Sequence, residues 1–373
     1  MLRTYKYRLK PNKTQIAVLT DILHKCCNLY NKCLEDRKTL WEGHKESLSC
    51  FSQIKKISSY GLDLDNVFSQ VRQNVVSRVD NAYKGFFRRV KSGDNPGHPR
   101  FKSEHRYDSF CYPQHGFKLI GDQLRLSGVG LVTVKLHRNI PKNAEIKTCT
   151  VKRDSLNHWY ATFSLELPDV LFSYSGTTAV GVDVGCESFV TLSNGIKVPH
   201  PHYYKQSQDK LTKLQSRVDK LKNRKSKRYK KVTHTLNKLK TKVANQRKDY
   251  QHKLSKQLVD TYSTIFVEDL NIKGMTKNNH RNLNKSILDS GWGYFLDMLS
   301  YKAEDAGKRV VKVNPAYTSQ ICSNCGTMVA KDLSVRLHTC PNCKVELDRD
   351  VNAAINILSF GTKLLSSDTH RGR

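Results

Sequence analysis

The spacing of apolar residues changes several times along this chain, and each change marks an element. Residues 3–9 (RTYKYRL) alternate, with Tyr5, Tyr7 and Leu9 on one face, and predict a short strand. Pro11 and Asn12 break it, and Asn12 with Gln15 reads as a helix start with a capping box. Ile16, Leu19, Leu23, Cys26, Tyr30 and Cys33 follow at helical spacing and predict a long amphipathic helix. A second helix is expected over 64–91, with Val71, Val75, Val79, Phe86 and Val90 on or near one stripe, stopped by SGDNPG at 92–97. Residues 100–168 then hold short alternating runs (QLRLSG, LVTVKLHR, EIKTCTVKR, WYATFSLEL) separated by turn residues. They predict a small β-barrel or sandwich that the first strand joins. Tyr107, Phe110 and Tyr112 fall here, as barrel core or as base-stacking rings. Residues 169–178 read as a linker.

Beyond Thr178 the pattern is strand-rich, then helical. AVGVDVG and SFVTLSNG read as a hairpin, and STIFVEDL (263–270) and RVVKVNP (309–315) as further strands. Residues 205–256 read as a basic helical stretch; Trp292, Phe295, Leu299, Ala303 and Ala306 mark another helix. A last helix is expected over 350–358, followed by a loose tail, 359–373.

Charge changes the picture. The 373 residues, enough for two or three domains, carry a net charge of +31. A small domain stays soluble with a net charge of about 2–8, so this excess points to a polyanion, nucleic acid above all. The 205–256 stretch alone holds 19 Lys/Arg against 3 Asp/Glu. Its densest cluster, Lys222, Arg224, Lys225, Lys227 and Arg228, is the candidate for phosphate contacts, which position without reading sequence. No stretch approaches the roughly 20 apolar residues of a membrane span, and MLRTYKYRLKPNK lacks the apolar middle of a secretory signal. The expectation is an intracellular, cytoplasmic protein without a membrane partner.

Of eleven cysteines, four form Cys322-x-x-Cys325 and Cys340-x-x-Cys343 with fourteen residues between the pairs. Four thiolates so spaced suit tetrahedral, structural Zn²⁺. The other seven are scattered, which fits a reducing compartment.

Three acids sit where acids are costly. Asp183 lies inside the apolar run AVGVDVG, Glu268 ends TIFVEDL, and Asp350 opens the last helix, seven residues past Cys343. Asp269 competes with Glu268 for the buried position, and Asp348 with Asp350. Acids from two strands and a helix would form an oxygen-rich site for Mg²⁺ or Mn²⁺, suited to phosphodiester cleavage. The order strand–Asp, strand–Glu, helix–Asp is the logic of the RNase H fold.

Several stretches carry a family resemblance: YKYRLKPNKTQ, NAYKGFFRRVKSG, GHPRFKSEHRYDSF, GVDVG, VEDLNIKGM, SILDSGWGYF, YTSQICSNCG and CPNCKVELDRDVNAAINIL. Over nearly its full length the chain resembles the TnpB family, the OrfB-type proteins of insertion sequences, itself similar to type V CRISPR effectors. The resemblance implies an RNA-guided DNA endonuclease with a RuvC domain. Such an enzyme uses a guide RNA from the end of its own element and reads a short motif flanking double-stranded target DNA. It implies an α+β multidomain chain in which a helical lobe (11–95) is inserted in a β-barrel (1–10 plus 96–170). A RuvC-like nuclease domain (175–373) follows, with a zinc ribbon (316–347) inserted in it. Asp183, Glu268 and Asp350 become the catalytic triad, and Cys322, Cys325, Cys340 and Cys343 the zinc ligands. Gln73 and Asn74 match positions that contact the flanking motif, and their amides suit adenine in the major groove. One departure is CPNCK where the family usually has CPNCG. Lys344 must therefore adopt a turn conformation that glycine finds easy, and its charge makes it a further candidate for DNA contact. The alternatives are a nuclease-inactive, RNA-guided DNA-binding regulator and a transposase acting directly on element ends. None of the three acids is replaced, which argues against the first.

Overall fold

A computed structural model, described for residues 1–170, 178–277, 281–332 and 335–371, divides into two compact units, Met1–Asp169 and Val170–Arg373. Most of the linker expected at 169–178 lies outside the described residues.

The first unit begins with strand β1 (Leu2–Lys10) and helix α1 (Lys13–His44). The capping box forms: Gln15 N–H donates to Asn12 Oδ1, and Asn12 N–H donates to Gln15 Oε1. Leu19, Leu23, Cys26, Tyr30 and Cys33 are buried along α1, while Ile16, in the first turn, is 40% exposed. Helices α2 (Cys50–Lys55) and α3 (Ser69–Lys91) follow. The second helix thus starts later than its apolar pattern suggested. Leu64 and Val67 are buried ahead of it in a turn closed by Val67 N–H donating to Leu64 O.

Six more strands complete the unit: β2 (Ser109–Tyr112), β3 (Phe117–Ile120), β4 (Gln123–Leu126), β5 (Gly130–Lys135), β6 (Glu145–Arg153) and β7 (Trp159–Glu166). With β1 they form an antiparallel seven-stranded sheet ordered β2-β6-β7-β1-β5-β4-β3. The sheet curls: Tyr112 of edge strand β2 meets Phe117 of edge strand β3 at 6.4 Å between ring centroids, and Phe117 reaches Phe163 of β7 at 6.4 Å. Tyr107, Phe110 and Tyr112 are fully buried in this core, so none is free to stack on a base.

The second unit is built on strands β8 (Ala179–Val184), β9 (Ser188–Leu192) and β10 (Lys197–Pro199), then helices α4 (Tyr203–Asp219) and α5 (Lys227–Thr261). Strand β11 (Thr264–Glu268), helices α6 (Ile272–Met275), α7 (Arg281–Ser290) and α8 (Trp292–Asp305), and strand β12 (Arg309–Val313) follow. A small hairpin, β13 (Leu337–Thr339) with β14 (Glu346–Asp348), leads into helix α9 (Arg349–Arg371). The main sheet is ordered β10-β9-β8-β11-β12, with β9 antiparallel to β8 and β11 and β12 parallel to it.

Side-chain alternation gives this sheet two different faces. Val180, Val182 and Val184 of β8 and Ile265 and Val267 of β11 join Leu254, Leu258, Phe295 and Leu299 of α5 and α8 in one core. Gly181 and Phe266 point to the opposite face, against α9. A Cβ on Gly181 would stand 2.0 Å from Ala354 O, so the helix lies directly on the strand.

The stretch 205–256 is helical as expected and is folded as a hairpin: α4 and α5 pack through Leu211, Val218 and Leu236, and Ser226 caps α5 after a turn. One expectation is corrected. The expected tail is a continuation of α9, whose Phe360 and Leu365 pack on the core of Phe266, Val313 and Ile357. Gly361 sits within this helix, where any side chain would collide with the Phe266 ring.

Candidate active site and metal centre

Register and alternation together bring the three acids to one place. Val182 pairs with Val267 in the parallel β8–β11 ladder, so the next residues, Asp183 and Glu268, stand side by side at the carboxyl ends of the strands. Gly181 pairs with Phe266 and both face α9; two residues on along each strand, Asp183 and Glu268 lie on that same face. Asp350 is in the first turn of that helix. Open α/β sheets bind ligands at this kind of position, where the strand order reverses beside β8.

Their electrostatics show the proximity. Burial raises the Asp183 carboxyl well above its ordinary range, and the charges of Glu268 and Asp350 raise it further. Burial also raises Glu268, opposed by the Thr318 hydroxyl, which donates to Glu268 Oε1 at 2.6 Å. Asp350 is raised by burial and then by Asp348; Arg336 Nη1 stands 4.0 Å from its Oδ1.

The two competing acids are otherwise engaged. Asp269 is exposed and pairs with Lys312 at 3.0 Å. Asp348 Oδ1 accepts from the Asp350 and Val351 amides and its Oδ2 meets Lys197 at 2.6 Å, so it serves the start of α9. Burial alone would raise Asp348, but Lys197 and the two amides outweigh it and hold the carboxyl below its usual range. Burial raises all three carboxyls, and a divalent cation held among them would remove that desolvation penalty.

The thiols are gathered more tightly. Among the described residues, Cys322, Cys325, Cys340 and Cys343 form the one group of ligating atoms all within 4.8 Å. Two Sγ pairs, 322–343 and 325–340, are 3.6 Å apart, near the roughly 3.8 Å edge of a tetrahedron with 2.3 Å metal–sulfur bonds. The set could bind a metal such as zinc. The two knuckles repeat one device. Gly326 N–H donates to Cys322 O and Cys322 N–H to Thr327 O; Lys344 N–H donates to Cys340 O and Cys340 N–H to Val345 O. The fifth residue of each turn is left-handed, with φ of 78° at Gly326 and 62° at Lys344. Lys344 therefore does adopt the conformation glycine would find easy. The Thr327 hydroxyl, with its backbone, draws the Cys325 thiol down to about 5, whereas burial pushes Cys322 up to about 11.

Two buried amides on α9, one turn apart, fasten this ribbon to the acids' helix. Asn352 accepts from Ser323 N–H and donates to Ile321 O; Asn356 donates to Thr318 O and Ile321 O. Sequence reading missed Thr318, Asn352, Asn356, Arg336 and Lys197. The signal available was Asn at i and i+4 on an otherwise apolar helical face, a costly pattern unless both amides are satisfied.

The candidate nucleic-acid residues are scattered over both units. Lys222, Arg224 and Lys225 are exposed in the α4–α5 turn, and Lys227 and Arg228 are exposed in the first turn of α5. Lys344 is exposed on its knuckle. In the first unit Gln73 is exposed on α3, whereas Asn74 is half-buried and its Oδ1 accepts from Arg78 Nε at 3.1 Å.

Fold and site define a two-unit α+β protein with a curled sheet, a carboxylate site and a four-thiol ribbon. Three family descriptions match: "Helix-turn-helix domain" over residues 1–46, "Probable transposase" of the OrfB IS605 type over 162–279, and "Cas12f1-like, TNB domain" over 292–357. In this chain the first of these stretches is β1 and the single long helix α1. A relative from Streptomyces pristinaespiralis, named "Putative RNA-guided DNA endonuclease", is 32% identical over 96% of this chain and 89% of its own length. Another so named, InsQ of Escherichia coli (strain K12), is 29% identical over 98% of this chain and 94% of its own. The Cas12f1 chain solved with sgRNA and target DNA shares the fold at a TM-score of 0.56 and 15% identity, over 92% of this chain and 82% of that one. The chain belongs to the TnpB family, the OrfB group of IS605-type proteins.

Proposed function

We propose that this protein is an RNA-guided, divalent-metal-dependent DNA endonuclease of an insertion sequence, cutting next to a short flanking motif. The observation that carries this is the convergence of Asp183, Glu268 and Asp350 on the α9 face of the second unit's sheet. That sheet, with an antiparallel hairpin followed by two parallel strands, supports an RNase H-like (RuvC) reading of 175–373. On this reading 11–95 is the helical lobe, 1–10 plus 96–170 the barrel, and 316–347 the ribbon.

Asp183, Glu268 and Asp350 would together hold Mg²⁺ or Mn²⁺. Such ions supply an activated water and stabilise the leaving oxygen in phosphodiester hydrolysis. Thr318 keeps Glu268 oriented, and Asp348 and Lys197 fix the helix end that bears Asp350. Cys322, Cys325, Cys340 and Cys343 would hold a structural Zn²⁺.

Both nucleic acids would be held largely by phosphate contacts. Lys227 and Arg228 in the first turn of α5 oppose the helix dipole, an arrangement that serves an anionic partner better than it serves the helix. The partners are a guide RNA from the element's end and double-stranded target DNA, with sequence read by base pairing. Gln73 and Asn74 would read the flanking duplex, with Asn74 first releasing Arg78. The test is purification with RNA from the element's own end, followed by a plasmid library bearing a matched target, randomised flanks and Mg²⁺. Cleavage at one flanking motif is the expected result. Guide-dependent binding without cleavage would make the protein a regulator, and joined strands would make it a recombinase.

A further inference from the structure

Tyr317 occupies an unusual backbone position one residue from the acid site. Its φ is 64°, in the left-handed region that bulky side chains avoid. Among the other described non-glycine residues at positive φ, Asn66, Asn157 and His202 are types that tolerate it, Lys45 ends α1, and Lys344 closes a knuckle. Tyr317 fits none of these groups. Its carbonyl accepts from the Gln320 and Ile321 amides, which locks the turn. Its ring gains nothing visible from the strain: it is 58% exposed. The next residue faces the other way. Thr318 is 4% exposed, donates to Glu268 Oε1, and has its carbonyl held by Asn356. The left-handed pivot thus sends one side chain in to the acid and its neighbour out to solvent beside it. Strain of this kind persists where the surroundings impose it, and it clusters at working sites.

We infer that the Tyr317 ring is a stacking platform for the nucleobase flanking the scissile phosphodiester of the target strand. A flat, rigid, exposed ring beside a phosphodiester-cleaving centre offers what every base can use, a π-face, without demanding a sequence. The inference rests on the endonuclease reading of this site. The pivot is retained because it sets the ring and the Thr318 hydroxyl at once, the first for the base and the second for Glu268.

The test uses the full chain with its guide RNA and a matched target whose cut position has been mapped. Tyr317→Phe, Tyr317→Asn and Tyr317→Gly are compared with the unchanged protein in melting temperature, target binding and single-turnover cleavage. Tyr317→Phe should cleave like the parent. Tyr317→Asn, which tolerates the left-handed backbone, and Tyr317→Gly should melt no lower and bind target equally. Both should cleave about tenfold more slowly, within the range of one base–aromatic stack. An abasic site beside the cut should slow the parent by a similar factor and add nothing to the Tyr317→Asn loss. Undiminished cleavage by Tyr317→Asn and Tyr317→Gly, a lowered melting temperature, or losses that add would each overturn the inference. If the unchanged complex does not cut, the endonuclease reading itself fails, an outcome separate from any difference among the variants.

Discussion

The two candidate ligand sets of the second unit are assembled in opposite ways. The thiols come from one short segment, 322 to 343, and each pair is closed by its own turn with its own two backbone hydrogen bonds. The carboxylates come from 183, 268 and 350, and nothing local brings them together. They meet because β8 and β11 pair in one register, because alternation points both acids at the α9 face, and because Gly181 lets α9 lie on the strand. A local site tolerates changes elsewhere in the fold. A site assembled through register and helix packing depends on residues that hold no ligand at all.

The largest effect should come from the assembled site. Glu268→Gln keeps the shape and removes the charge. It should lower cleavage at least about a thousandfold, the equivalent of several kcal/mol of transition-state stabilisation, with guided DNA binding intact by gel shift. Cys340→Ser attacks the local site instead. It should abolish stoichiometric zinc and unfold the ribbon, since a structural zinc supplies much of such a module's folding energy. The coupling through Asn352 and Asn356 then predicts a partial cleavage loss, about tenfold to a hundredfold by analogy with residues that support metal ligands. Undiminished cleavage by a zinc-free protein would show that the ribbon does not support the acids.

Gly181→Ala touches no ligand yet should damage the assembled site. The added methyl meets Ala354 O and lifts α9, costing about 1–3 kcal/mol of stability by thermal or urea unfolding, with cleavage falling and zinc content unchanged. The smallest effect should be a gain. Lys344→Gly relieves a left-handed lysine and should stabilise the ribbon by up to about 1 kcal/mol, read as slower zinc loss to a chelator.

The same contrast explains what the sequence disclosed. Both Cys-x-x-Cys pairs, the capping box at Asn12 and the strain at Lys344 are written in adjacent residues, and each could be read directly. The choice between Glu268 and Asp269, or Asp350 and Asp348, could not. It depends on strand parity and on which carboxylate is spent on helix amides. The hairpin within 205–256 was hidden because uniform positive charge masks a turn; Asn223, which accepts from the Lys225 amide, and Ser226, the cap that restarts the helix, were the local signs. The continuation of α9 past Gly361 was hidden because glycine in a sequence looks the same whether a helix stops there or an aromatic ring presses on it.

Asp183→Asn is the most direct probe of the central claim, because Asp183 alone feels both other acids. The protein with its guide RNA would be checked for full zinc content and for target binding, then given matched DNA and Mg²⁺ in a single-turnover cleavage assay. Zinc content and target binding should be normal, and cleavage reduced by at least about a thousandfold. Cleavage at the rate of the unchanged protein would contradict that claim, and would place the cutting chemistry somewhere other than the meeting point of Asp183, Glu268 and Asp350.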